Sequence, residues 1–347
     1  MVNPTMKIEV KFLALFTITI IIGAISIYNL YAINQLNQRI DELNLNINAI
    51  AVSEIIKDAY GRAIVVTPQG VEAPHISATI VKIPLERIVS LAPSITETLF
   101  FLGLGNKVIA VTKWCDWPEE VLNKKKTGEI AVFENIVDPE IEKVVSLNPD
   151  LILATTITKS EAVAKLERLG LPIVVIDYGK NLEDIYAALK LIGKVTGVNE
   201  QAENLIIELK ENITKVSNAV SRLPKPKVFW MSWHDPLMST GGSSWINALI
   251  QAAGGENIFN DINVDWPTVS PEEVLIRNPD IILFSEEHPG VSNVNDLLNI
   301  FPTWVEVKAV KEGKVFAVPT FILHPGPRVA EAVKTLAKLL HPEAELN

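Results

Sequence analysis

Cysteine occurs once in 347 residues, at position 115, so the chain forms no internal disulfide and cannot build a zinc site from thiolates. Cys115 also lies far from the apolar N-terminal run, which excludes a lipid attached to a cysteine directly after that run. Histidine is scarce as well, and His234, His288 and His324 lack the close spacing that presents two imidazoles to one metal. Phosphate-cradling glycine loops are missing, because Gly103-Leu104-Gly105 is too short and stands at the end of a helix. Ser94 lies in Ala-Pro-Ser-Ile-Thr, outside any Gly-x-Ser-x-Gly elbow. Glu119/Glu120 and Glu286/Glu287 are adjacent acids that read as solvated. No nucleophile, base and oxyanion donor converge, so the expectation is a protein that is not an enzyme and has no resident cofactor or metal. Basic charge is in deficit: 31 Lys and Arg against 41 Asp and Glu leave a net charge of −10, which excludes nucleic acid as a partner.

Apolar residues are plentiful. Residues 12–33 run without a charge, about the 20 residues that span a hydrocarbon core. Lys7 and Lys11 precede the run and the next basic residue is Arg39, so residues 1–11 are expected in the cytoplasm and the rest outside. A cleaved signal peptide is the other reading. No small-x-small cleavage site is evident, and Tyr28 and Tyr31 suit an interfacial belt, which favours a single-pass anchor in the cell membrane. Ile33, Leu36, Ile40, Leu43, Ile47 and Ile50 then follow heptad spacing. The seam reads as a helical spacer, with a dimerising stalk as the sharper alternative, and residues 34–84 form this spacer and a linker.

An internal repeat sets the architecture. Residues 142–153 read EKVVSLNPDLIL and residues 272–283 read EEVLIRNPDIIL, a match at constant offset. Each copy is a short amphipathic helix stopped by proline, followed by an apolar run that fits a buried parallel strand. The predicted fold is therefore α/β: two similar lobes with mostly parallel central sheets, residues 85–181 and 224–347. Residues 182–223 join them as a helical region broken near Gly197 and Asn199, whose second part predicts one long, stiff helix.

Loops beyond the carboxyl ends of parallel strands are where open α/β sheets bind ligands. Three tryptophan-bearing segments fall there: Trp114 with Trp117, Trp233 with His234, and Trp266. Indoles offer large rigid apolar faces to a bulky ligand, and they also serve as core or lid residues. Arg328, in His324-Pro325-Gly326-Pro327-Arg328, can bind an anion or pair with a local carboxylate. His234 and His324 can be satisfied structural histidines or axial ligands to a metal-centred macrocycle. Glu142 and Glu272 occupy equivalent repeat positions. They suit the positive end of a helix, or two charges on one rim that meet arginines of a symmetric partner.

RIVSLAPSITETLFFLG, KWCDWPEE, DPEIEKVVSLNPDLILA, GGENIF, WPTVSPEEVLIRNPDIIL and HPGPR, in this order over residues 60–343, resemble the solute-binding proteins of ABC importers whose lobes are joined by one rigid helix. The sequence is most similar to the cobalamin-binding branch. The resemblance implies a ligand site at Trp114, Trp117, Phe133, Trp233, His234, Trp266, His324 and Arg328, with Phe133 standing in for a missing tryptophan. It implies that Glu142 and Glu272 dock a permease coupled to a cytoplasmic ATPase. Thr320 and His324 depart from that branch's acid and arginine. Within the same class, ferric siderophore, haem or an oxyanion such as molybdate are alternative ligands. A membrane-bound ligand sensor is the alternative from another class.

Overall fold

The computed structural model describes residues 17, 20–21, 23–43, 53–71 and 77–346. The chain divides into two compact units, one holding residues 1–54 and 67–77, the other residues 55–66 and everything from Ala78 on. The first carries helix α1, described over residues 23–43, on which Ile33, Leu36, Ile40 and Leu43 are all exposed. Ile47 and Ile50 of the predicted seam, and residues 12–16, 18, 19 and 22 of the apolar run, lie outside the described residues. Among the described residues no helix is long and apolar enough to cross a membrane.

Strands β1 (Glu54–Lys57), β2 (Ala63–Pro68) and β3 (Thr79–Ile83) make a small sheet. In the second unit, Asp58 accepts from Val175 N and Arg62 donates to Ile173 O, which ties the β1–β2 turn to the neighbouring sheet. That sheet follows strict alternation of strand and helix: β4 (Ile88–Ser90), α2 (Pro93–Phe101), β5 (Val108–Thr112), α3 (Glu119–Thr127), β6 (Ala131–Phe133), α4 (Ile141–Ser146), β7 (Leu151–Thr155), α5 (Ser160–Arg168), β8 (Ile173–Ile176). Each helix returns the chain so that the next strand runs parallel. The order is β6-β5-β4-β7-β8, so the chain winds outward both ways from β4.

Helices α6 (Leu182–Thr196) and α7 (Asn199–Val220) follow, separated at Gly197, whose φ of +77° closes α6 as a left-handed cap. With 22 residues, α7 is about 33 Å long. The second sheet contains β9 (Lys227–His234), β10 (Leu237–Ser239), β11 (Glu256–Asn257), β12 (Ile281–Ser285) and β13 (Val315–Val318) in the order β10-β9-β12-β13, with β11 also beside β9. All pairings are parallel except the β9–β10 hairpin. Helices α8 (Trp245–Ala252), α9 (Pro271–Arg277), α10 (Val294–Ile300), α11 (Lys308–Lys311) and α12 (Val329–Leu340) complete this half.

The two repeat copies adopt matching conformations. Asn148 and Asn278 have φ of 44° and 47°, the left-handed region that asparagine tolerates better than most residues. Asp150 then accepts from Arg87 N just before β4, and Asp280 accepts from Lys227 N at the start of β9. The shared motif thus pins the start of the neighbouring strand in each half. Side-chain alternation matches as well. Leu151 and Leu153 on β7, and Ile281 and Leu283 on β12, enter one large core that α6, α7 and α12 fill. Ile152 and Ala154 face a second core, Ile282 and Phe284 a third. One apolar core therefore runs from the inner face of the first sheet, past α7, to the inner face of the second.

Candidate functional site

A cleft of about 690 Å³ opens between the two sheets, inside the range of about 300–1,000 Å³ typical of small-molecule sites. From the first half, the loops after all five parallel strands line it: Ala92–Ser94 after β4, Trp114 after β5, Ile136 after β6, Thr155–Ile157 after β7, Asp177–Lys180 after β8. This is the carboxyl edge where a doubly wound sheet splits around its central strand. The second half contributes Ser244 and Trp245 at the start of α8, the Asp265-Trp266 segment, and Leu323–Pro325 beyond β13.

Of the residues singled out from sequence, Trp114, Trp266 and His324 line this cleft. Trp114 is 56% exposed and Trp266 37%, high values for indoles, which normally bury most of their surface. Both are held from either side. Lys125 Nζ donates to the carbonyls of Lys113 (2.7 Å) and Cys115 (2.9 Å), which flank Trp114. Gly241 N donates to Asp265 O and Ser239 N to Pro267 O, both at 3.0 Å, which flank Trp266. The Gly241 backbone passes so close that an added Cβ would stand 2.0 Å from Val264 O. Cys115 anchors the first loop further: its buried thiol lies 3.1 Å from Thr96 Oγ1, and burial pushes its pKa up. The two indoles are thus fixed apolar surfaces at the mouth of a preformed space.

Lys180 from the first half meets Asp265 from the second at 3.0 Å across the cleft. Deeper, His324 Nδ1 stands 3.3 Å from Glu97 Oε1, a carboxylate on α2 that is 1% exposed. Tyr178 hydrogen-bonds Thr98 at 3.2 Å, and burial pushes its phenol far above the ordinary value.

The other candidates stand elsewhere. Phe133 is fully buried at the end of β6 under the Lys143 ammonium, a core residue that presents nothing to a ligand. Trp117 stacks on Phe101 with ring centroids 5.0 Å apart and carries the Arg328 guanidinium on its face. Arg328 follows the second of its two readings: it pairs with Glu331 at 3.0 Å and sits 3.8 Å above Phe321. Trp233 and His234 belong to a ring cluster with His288, because β9 continues through His234 instead of ending before Trp233. None of these five is among the residues lining the cleft. Glu142 and Glu272 are exposed in the first turns of α4 and α9. Glu142 approaches Lys165 at 3.7 Å, and Glu273, not Glu272, closes the capping box on Ser270. Trp245, Tyr178, Lys180 and Asp265 were not singled out. The strand-end rule that selected Trp114 applies equally to Asp177–Lys180 after β8.

Residues 88–321 match the family model described as periplasmic binding protein. The chain belongs to that family. Its members are substrate-binding components of ABC importers and do no chemistry on their cargo. The chain is 29% identical over 280 residues to an uncharacterised ABC transporter substrate-binding lipoprotein of Bacillus subtilis, covering 78% of this chain and 85% of that one. It is 31% identical over 211 residues to the vitamin B12-binding protein of Yersinia pestis, covering 60% of this chain and 73% of that one. Among solved structures it resembles the periplasmic vitamin B12-binding protein of Vibrio cholerae, with TM-score 0.62 and 28% identity over 75% of this chain and 98% of that one. It also resembles a periplasmic haem-binding protein of Roseiflexus, with TM-score 0.67 and 25% identity over 75% of this chain and all of that one.

Proposed function

We propose that this chain is a membrane-anchored, extracytoplasmic receptor that captures cobalamin or a related corrinoid in its cleft and delivers it to an ABC permease. The observation that carries the reading is the pair of exposed, backbone-anchored indoles, Trp114 and Trp266, at the mouth of a cleft large enough for much of a macrocycle. A rigid apolar pair loses little conformational freedom on binding, and a broad ring system covers both faces at once. The relatives named for vitamin B12 support the choice of ligand. Haem is the second reading, supported by the Roseiflexus structure and by the imidazole of His324 in the cleft.

The uncharged run at residues 12–33, preceded by Lys7 and Lys11, supports the anchor and its orientation. Glu142 and Glu272 support docking: both are exposed at equivalent repeat positions. Ile276, one turn after Glu272 and 80% exposed, adds an apolar contact on the same face of α9.

Titration of the tryptophan fluorescence with cyanocobalamin, haemin and a ferric siderophore tests the ligand. Saturable quenching by cyanocobalamin at micromolar concentration or below is expected. Quenching by haemin or the siderophore alone rejects the corrinoid.

A further inference from the structure

Helix α1 leaves an apolar stripe uncovered. Every residue from Ala24 to Leu43 is exposed, and Ile33, Leu36, Ile40 and Leu43 are 43% to 60% exposed. Helices in proteins owe most of their stability to burying such a face. The width of the stripe selects what covers it. Every other residue from Asn34 to Glu42 is polar, so the stripe takes two residues in every seven. A helix that packs on a globular core carries a broader apolar face, and this narrow one is the seam of a coiled coil. The residue types select the number of strands. Ile33 and Ile40 hold the first apolar position of the heptad, and Leu36 and Leu43 hold the second. Isoleucine and leucine alternating in this way favour two parallel strands. Ile47 and Ile50 continue the spacing in the sequence. The flanking positions carry Asn37, Arg39 and Asn44, so no like charges face each other across a parallel pair in register.

Traced back by the same spacing, the stripe passes Asn29 and Ser26, both exposed, inside the uncharged run at residues 12–33. A polar side chain facing hydrocarbon is costly, and such side chains collect where membrane helices meet. An asparagine amide both donates and accepts, so Asn29 can bond its own counterpart across a two-fold axis. The apolar seam and the polar positions thus lie on one line along α1.

We propose that α1 pairs with α1 of a second copy of this chain as a parallel two-stranded stalk, with Ser26, Asn29, Ile33, Leu36, Ile40 and Leu43 at the seam. The parallel direction rests on the membrane anchor proposed above, since copies anchored in one membrane share one orientation. A paired receptor brings two ligand-binding heads to one permease, the second at the effective concentration set by the shared stalk.

The test uses the full chain in liposomes at low protein density, oxidised with copper phenanthroline and resolved on non-reducing gels. Cys115 is buried, so the native chain should run as a monomer. Leu36→Cys and Ile40→Cys should each collect as a disulfide-linked dimer, and Gln38→Cys, on the opposite face, should not. Adding Leu36→Asp and Leu43→Asp to Ile40→Cys should abolish the dimer, which separates seam packing from chance collision. Carbonate extraction of the same liposomes reports the anchor on its own. A chain that resists extraction, with no more dimer at positions 36 and 40 than at 38, overturns the pairing and leaves the anchor intact. A chain released by carbonate that still dimerises at both 36 and 40 removes the anchor and keeps the pairing, because self-links at both positions require parallel strands in register. A dimer that survives the two aspartates also overturns the pairing.

Discussion

Single side chains in this molecule divide by what surrounds them, which residue type alone does not reveal. Trp114 and Trp304 are both tryptophans in loops or short turns, yet one is more than half exposed and the other fully buried with its Nε1–H donated to Pro271 O. The Trp114 segment could be picked out because it follows β5, whereas Trp266 stands well beyond β11 and is held beside β10 by Ser239 N and Gly241 N. Trp233 misled because β9 runs three residues further than its apolar pattern suggests, which moves Trp233 and His234 into a ring cluster. Arg328 could not be resolved from sequence, since its partner Glu331 comes from the first turn of α12 and its platform Phe321 from the turn after β13. His288 shows the energetic side. It is buried beside His234, and burial together with that neighbouring imidazole lowers its pKa. The unfolded chain therefore binds the extra proton more readily. His288 favours the folded state fully above about pH 6.5, the ordinary histidine value, and that contribution is lost as pH falls through its lowered folded value. Urea midpoints measured on both sides of this window should drop on the acid side, and His288→Phe should flatten the dependence.

Secondary elements were the most legible part of the chain. The repeated Asn-Pro-Asp motif predicted a helix stop and a buried strand in each half, and β7 and β12 carry it out in two separate sheets. The break near Gly197 and the long helix after it also follow from the sequence, because glycine supplies the positive φ of the cap. Spacing could not show how closely α6 and α7 approach. An added Cβ on Gly193 would lie 2.4 Å from the Ala202 Cβ, so glycine here sets the contact between the two helices. Gly193→Val should separate them and destabilise the fold by about 1–3 kcal/mol, with partial recovery when Ala202→Gly is added; chemical denaturation measures both. The β9–β10 hairpin was not placed: mostly parallel sheets were expected, with nothing in the sequence to show which pairing departs.

In the second unit, two mostly parallel sheets share one core along α7, with the cleft on the side where the strands end. The Lys180–Asp265 pair across the cleft is partly exposed and contributes at most about 1 kcal/mol. The shared core therefore limits lobe movement far more than this pair does. In the function proposed above, Glu142 and Glu272 are the surface marks that a permease meets. Replacing both with lysine should abolish uptake in cells and leave ligand affinity of the purified protein unchanged; loss of affinity would place them in the binding site instead. Capture as proposed depends on the two indoles forming the binding surface. Calorimetric titration of Trp114→Ala/Trp266→Ala with cyanocobalamin should show binding at least about 100-fold weaker than the native chain, with an unchanged melting temperature. Affinity equal to the native chain's would contradict it.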